Sequence, residues 1–178
     1  MTQSARTWPR FLALAALFAL SAPALYAASI GEQLSNTTIR DANDAPATLP
    51  GLGQKVLAIF YTDPDVSDLN DPFADKLKAA NLDKSVYQGI GIADLKDTWL
   101  PNSAVRMIVR KKIEKYNATI LTDPSHLLSD AWKLGDCNDQ SVVIVLDKHA
   151  TVQFVKKGAM SQAEMDSTFA LVQKLMAE

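Results

Sequence analysis

The chain has 178 residues, with 18 Lys+Arg, 20 Asp+Glu, two His and one Cys; its formal net charge is −2, and apolar and charged residues make up 48% and 21%. These values fit one globular domain and exclude wholesale disorder. A single Cys excludes an intramolecular disulfide and every Cys-cluster metal site, and two His with a slightly acidic balance argue against a His-built metal or haem centre and against sequence-independent nucleic-acid binding.

The N-terminus reads as a secretory signal peptide covering residues 1–27. Arg6 and Arg10 precede a wholly apolar run at 11–20 (FLALAALFAL). Ser21, Ala22 and Pro23 loosen that run, and Leu25-Tyr26-Ala27 offers a cleavage site. The run is short and broken early by Pro23, so it is not expected to serve as a membrane span. With no Cys near the cleavage site, a lipid anchor is not expected. Cleavage removes two Arg and no acid, leaving 151 residues with 16 basic and 20 acidic groups. The expected product is one domain, residues 28–178, exported to an oxidising compartment with no stable membrane anchor.

Residues 28–53 are rich in turn formers and predict a β-hairpin or a loose extension. Residues 55–61 (KVLAIFY) form a short apolar run, a strand buried on both faces as in parallel sheets. Asp71 is expected to cap the next helix, with Pro72 at its first position and Phe73, Leu77 and Ala80 on one face. Residues 86–93 (VYQGIGIA) make a second strand, completing a βαβ unit. Gly89-Ile90-Gly91 lies inside that strand and lacks the Gly and Lys of a phosphate loop. Pro101 and Asn102 open a longer helix with Val105, Ile108, Val109, Ile113 and Tyr116 at helical spacing, ended by Asn117. A third strand at 118–121 is closed by Asp123-Pro124, and a short helix carries Leu127, Leu128, Ala131 and Trp132. The strongest strand signal is 141–146 (SVVIVL), followed by a turn at 147–150 and a hairpin partner at 151–155. Ser161-Gln162-Ala163-Glu164 reads as a capping box, opening a last helix with Met165, Phe169, Val172 and Met176 on one stripe and Thr168, Leu171 and Leu175 beside it.

This order of elements resembles an extended, TlpA- or peroxiredoxin-like thioredoxin fold: an α/β protein with a central mixed sheet, flanking helices and an N-terminal hairpin extension. Residues 130–134 (DAWKL), 142–148, 152–154 and 157–159, with the middle stretch LKAANLDKSVYQ, are similar to the YtfJ family of periplasmic thioredoxin-like proteins. That resemblance implies the fold and a periplasmic address, and no defined activity. Some members carry a transcriptional-regulator label, which makes regulation an alternative reading.

In redox members of this fold, the strand corresponding to 55–61 runs into a Cys-x-x-Cys at a helix start. Here residues 61–71 contain no Cys, and no Pro stands at Gln140-Ser141, where redox members hold a Pro facing the site. The chain is therefore expected to have no catalytic residues of that kind and no cofactor, and to act by binding a partner that the sequence does not identify, with a periplasmic protein as the candidate class. The thioredoxin groove suits an extended polypeptide, which pairs along an edge strand. The candidate binding residues are Asp63, Asp65, Asp68, Asp94 and Cys137. Asp63, Asp65, Asp68 and Asp71 suggest a hard-cation site, but turn formation and helix capping explain them better, so no metal is assigned. Asp94 and Asp97 are expected near this loop, since parallel strands end on one edge. Cys137 offers a single-thiol oxidoreductase as an enzymatic alternative; flanking Asp136 and Asp139 would raise its pKa. Arg106, Arg110, Lys111, Lys112 and Lys115 read as a solvated basic helix face. His126 and His149 are not expected to act as bases, and Trp99 and Trp132 are expected to anchor packing.

Overall fold

The computed structural model describes residues 28–178; the expected signal peptide lies outside them. A seven-stranded sheet runs through the chain in the order β2-β1-β5-β4-β3-β6-β7. Its core strands are β3 (Val56–Thr62), β4 (Tyr87–Asp94), β5 (Thr119–Asp123), β6 (Ser141–Leu146) and β7 (Val152–Lys157). β3, β4 and β5 pair in parallel, β6 adds antiparallel to β3, and β7 adds antiparallel to β6. The hairpin expected in the extension is present: β1 (Ile39–Arg40) pairs with β2 (Pro46–Ala47) and joins the sheet edge at β5.

Side chains alternate across a strand, so each strand serves two faces. On one face Leu57, Ile59, Tyr61, Ile90, Ile92, Val142 and Ile144 pack with Leu128, Trp132, Leu134 and the N-terminal Leu34 and Leu49. On the other, Val56, Ala58, Val143 and Val145 meet Phe73 and Leu77 of helix α1 (Asp71–Ala79) and Val172 and Leu175 of helix α4 (Gln162–Ala177). Ala93 and Ile120 lie beneath Val105 and Val109 of helix α2 (Asn102–Tyr116). All six residues of β6 are buried. At roughly 1.5–3 kcal/mol for each buried Leu, Ile or Val side chain, such a core needs no disulfide.

Most element boundaries match the sequence pattern to within two residues. Asn117 ends α2 in a left-handed conformation, φ 48°, as expected of an Asn at that point. The capping box at Ser161 is present in both directions. Glu164 also receives Lys156, and these contacts pull its carboxyl down to about 2. The basic helix α2 does more than face solvent: Arg106 pairs with Asp44 at 2.6 Å, and Arg110 donates to the Ala42 carbonyl, so both hold the hairpin turn.

Three expectations need correction. Asn70, not Asp71, occupies the cap of α1, and Asp71 is its first residue. Asn70 does not cap through its side chain; its amide bridges to Gly158 O and Met160 N instead. Trp132 is buried, but Trp99 is 81% exposed. Leu95 and Leu100 already fill the space beneath α2, which leaves the Trp99 ring outside. The buried stripe of α4 centres on Thr168, Val172 and Leu175, with Met165, Phe169 and Met176 only flanking it. This rotation follows from the placement of α4 over Val143 and Val145.

Candidate functional site

Parallel pairing in register brings the C-terminal ends of β3, β4 and β5 to one edge. Ile92 sits opposite Tyr61 and Asp94 opposite Asp123. Alternation then aims Tyr61, Asp94 and Asp123 at the same face, and Asp63, just beyond β3, continues that order. Asp63, Asp94 and Asp123 are each 0% exposed. Buried carboxylates demand donors.

Asp63 meets that demand with backbone. Its Oδ1 accepts from Asp65 N at 2.9 Å, capping the 3-10 turn Pro64–Val66, and its Oδ2 accepts from Asp139 N at 2.8 Å. The backbone completes the clamp, since Asp63 N donates to Gln140 O at 3.0 Å. Asp123 does the same for the short helix α3 (Leu127–Ala131): Oδ1 accepts from Leu127 N, and Oδ2 accepts from Leu128 N, both at 2.9 Å. The Tyr61 hydroxyl donates to Asp123 Oδ2 at 3.3 Å. Burial, with Asp94 and Asp123 nearby, drives the Tyr61 phenol far above its ordinary value, so that proton stays in place.

Asp94 differs. Its Oδ1 accepts from Lys96 N at 3.0 Å, while its Oδ2 has no hydrogen-bond partner. Oδ2 lies 3.2 Å from Nε2 of His126, which also stands 3.1 Å from Oδ2 of Asp97. His126 Nε2 is likewise buried without a hydrogen bond, so these approaches are close without being aligned. Burial pushes the Asp94 carboxyl up to about 6, with Asp97 adding to the rise and the Lys96 N–H and His126 opposing it.

His126 reaches this place through a left-handed backbone, φ 58°, immediately before α3. The sequence around His126 shows no Ser or Cys nucleophile arrangement, so the sequence alone does not mark it as functional. The signal was the position: Asp123-Pro124-Ser125-His126 follows a strand that ends beside Asp94.

The remaining candidates scatter. Asp65 is exposed and accepts from Thr98 Oγ1 at 3.0 Å, which joins the loop after β3 to the loop after β4, as the shared edge predicts. Asp68 is exposed. With Asp63 satisfied by N–H groups, Asp63, Asp65, Asp68 and Asp71 do not gather around a common point. Among the described residues, the one cluster whose ligand atoms converge is Asp94, Asp97 and His126. Cys137 is 1% exposed, packs in the core beside Leu134, and has its Sγ 3.3 Å from Gly135 O. Burial pushes its thiol up to about 11; Lys157 opposes that, and Asp94, Asp97 and Asp136 reinforce it. The negative field thus comes mainly from across the fold and only partly from its sequence neighbours.

A β3 strand running into a loop and helix, a parallel βαβ core and a terminal antiparallel hairpin with a covering helix define a thioredoxin-like protein. Solved structures of that class superpose on most of the chain. One, provisionally described as a protein disulfide isomerase from Bacteroides thetaiotaomicron, gives a TM-score of 0.65 at 20% identity over 86% of this chain and 93% of that one. The exposed lipoprotein thioredoxin Etrx1 of Streptococcus pneumoniae gives 0.59 at 14% identity over 79% and 99%. At such identities the likeness speaks for the fold alone. Residues 23–175 match the model of a family described as "Bacterial protein of unknown function (YtfJ_HI0045)". The chain belongs to the YtfJ family. It is 30% identical over 112 residues to the uncharacterized protein YtfJ of Escherichia coli strain K12, covering 60% of this chain and 58% of that protein. An uncharacterized Haemophilus influenzae protein is 28% identical over 110 residues, covering 61% and 59%. These matches thus span less than two thirds of either relative. No helix among the described residues is long and apolar enough to cross a membrane.

Proposed function

We propose that this is an exported, periplasmic thioredoxin-fold protein that has given up dithiol chemistry and works by binding a protein partner. The observation that carries this reading is the state of the thiol. The loop after β3 has no Cys, and the sole Cys137 is buried with its thiol held protonated at neutral pH. A thiolate is what attacks a disulfide, so this cysteine is poorly suited to exchange. The loop after β3 is instead fixed by Asp63 and Asp65. β7 ends the sheet on the other side of β6; residues 31–33 already pair with its start at Thr151 and Val152, and the rest of that edge, toward Lys157, is one along which an extended segment can pair.

The test is twofold. An insulin-reduction assay should give no activity above background for the wild type or for Cys137→Ser; activity lost on that substitution would establish the single-thiol oxidoreductase instead. Cross-linking in intact cells, followed by recovery from the periplasmic fraction, should yield a defined protein adduct. Recovery of the full-length chain from the cytoplasm would defeat the reading and favour a regulatory role.

A further inference from the structure

We infer that Asp94, Asp97 and His126 form a binding site for one divalent first-row transition ion of the Zn²⁺ type. The three side chains come from the end of β4, the loop behind it and the turn before α3, and their ligand atoms all lie within 4.8 Å of one another. A hydrogen-bonded account leaves the cluster unsatisfied: one Nε2–H can align well with only one carboxylate at a time, and neither Nε2 nor Asp94 Oδ2 makes a hydrogen bond. The Asp94 side chain is 0% exposed, and its unpartnered oxygen is aimed into the cluster. An oxygen left so is costly unless a cation meets it.

The spacing suits that cation. Two ligands held about 2.0–2.1 Å from one ion at angles between a right angle and the tetrahedral angle lie about 2.8–3.4 Å apart. His126 Nε2 stands 3.2 Å and 3.1 Å from its two carboxylate neighbours. The donor set selects the class: Ca²⁺ and Mg²⁺ take oxygen ligands, whereas one imidazole nitrogen with two carboxylates suits Zn²⁺ and its neighbours. Among the described residues, the salt bridges of Asp94 and Asp97 run to His126 alone, so no Lys or Arg competes for their charge. His126 and Asp97 remain 28% and 18% exposed. The ion would be reachable from solvent and would keep an open position for water or for a donor from a partner. This inference is independent of the binding reading, since a metal can be bound whether or not a protein partner exists.

The experiment uses the tag-free exported protein, stripped with a chelator and titrated calorimetrically with Zn²⁺, with Co²⁺ absorption as a second readout. The wild type should bind one ion and melt at higher temperature with it. His126→Ala and Asp94→Asn should each weaken binding by at least about 100-fold, while His149→Ala binds as the wild type does. Because Asp94→Asn keeps the side-chain shape, its melt in chelator shows whether it is folded. Lack of Zn²⁺ binding by the wild type, or binding undiminished in a folded His126→Ala protein, would overturn the site. Binding of Ca²⁺ in preference to Zn²⁺ would overturn the assigned class.

Discussion

Asp94 and Asp123 stand opposite each other at the ends of adjacent parallel strands, equally buried and chemically identical, yet their surroundings differ. Asp123 lies under the start of α3 and accepts two short backbone bonds and the Tyr61 hydroxyl. Asp94 has one N–H for one oxygen, and an imidazole with a second carboxylate for the other. A buried carboxylate surrounded by N–H donors is part of the scaffold. One that faces another carboxylate and an unaligned imidazole is held there by the rest of the fold at some cost to stability. Asp63 belongs with Asp123, although the sequence alone placed it among the candidate ligands.

Substitutions should separate the two kinds. The largest effect is expected at Asp123→Ala, which strands the buried N–H of Leu128 and the part-buried N–H of Leu127 and should cost about 3 kcal/mol, read as a fall in melting temperature of roughly 6–12 °C. A loss below about 1 kcal/mol would erase the distinction. Asp63→Ala should cost about 1–2 kcal/mol through the lost cap and the freed Asp139 N–H.

Asp94→Asn in chelator should leave stability at pH 7 unchanged or raise it by up to about 1 kcal/mol. The pH dependence follows the direction of the shift. The Asp94 carboxyl is raised from 3.8 to about 6 in the folded chain. Its contribution is therefore fully present below pH 3.8 and is lost as pH rises through about 6. Denaturant midpoints of wild type and Asp94→Asn should diverge across that window, with the wild type gaining toward acid; parallel curves would place Asp94 with Asp123. The smallest effect concerns Cys137. Asp94 contributes to holding its thiol protonated, so Asp94→Asn should speed thiol labelling at pH 8 by about two- to three-fold. An unchanged rate would mean that burial alone protects the sulfur.

The fold was legible because its signals are local and repeated. The apolar runs at β3, β4 and β6, the Asn117 stop and the Ser161 box each act within a few residues. Even the shared edge of Asp94 with the Asp63 loop follows from parallel strand order. The site was only half legible. Whether an Asp faces backbone N–H groups or an imidazole depends on which loops pack together, and Asp63 meets Asp139 across 76 positions. The role of His126 is not legible in sequence because its partners Asp94 and Asp97 lie about thirty residues earlier, joined to it only by strand pairing. Trp99 misled because aromatic content predicts burial on average, while the space beneath α2 had room only for Leu95 and Leu100.

The segment between β3 and α1 is tied at three points. Asp63 fastens it to Asp139, Asp65 to Thr98, and Asn70 to Gly158 and Met160. Such a segment has little conformational freedom left to lose. A molecule that docks on it would meet a surface already in its final shape, so the entropy spent on ordering would fall on the incoming partner alone. Recognition there would follow rigid complementarity, with selectivity set by shape and with small backbone displacements between the free and occupied states.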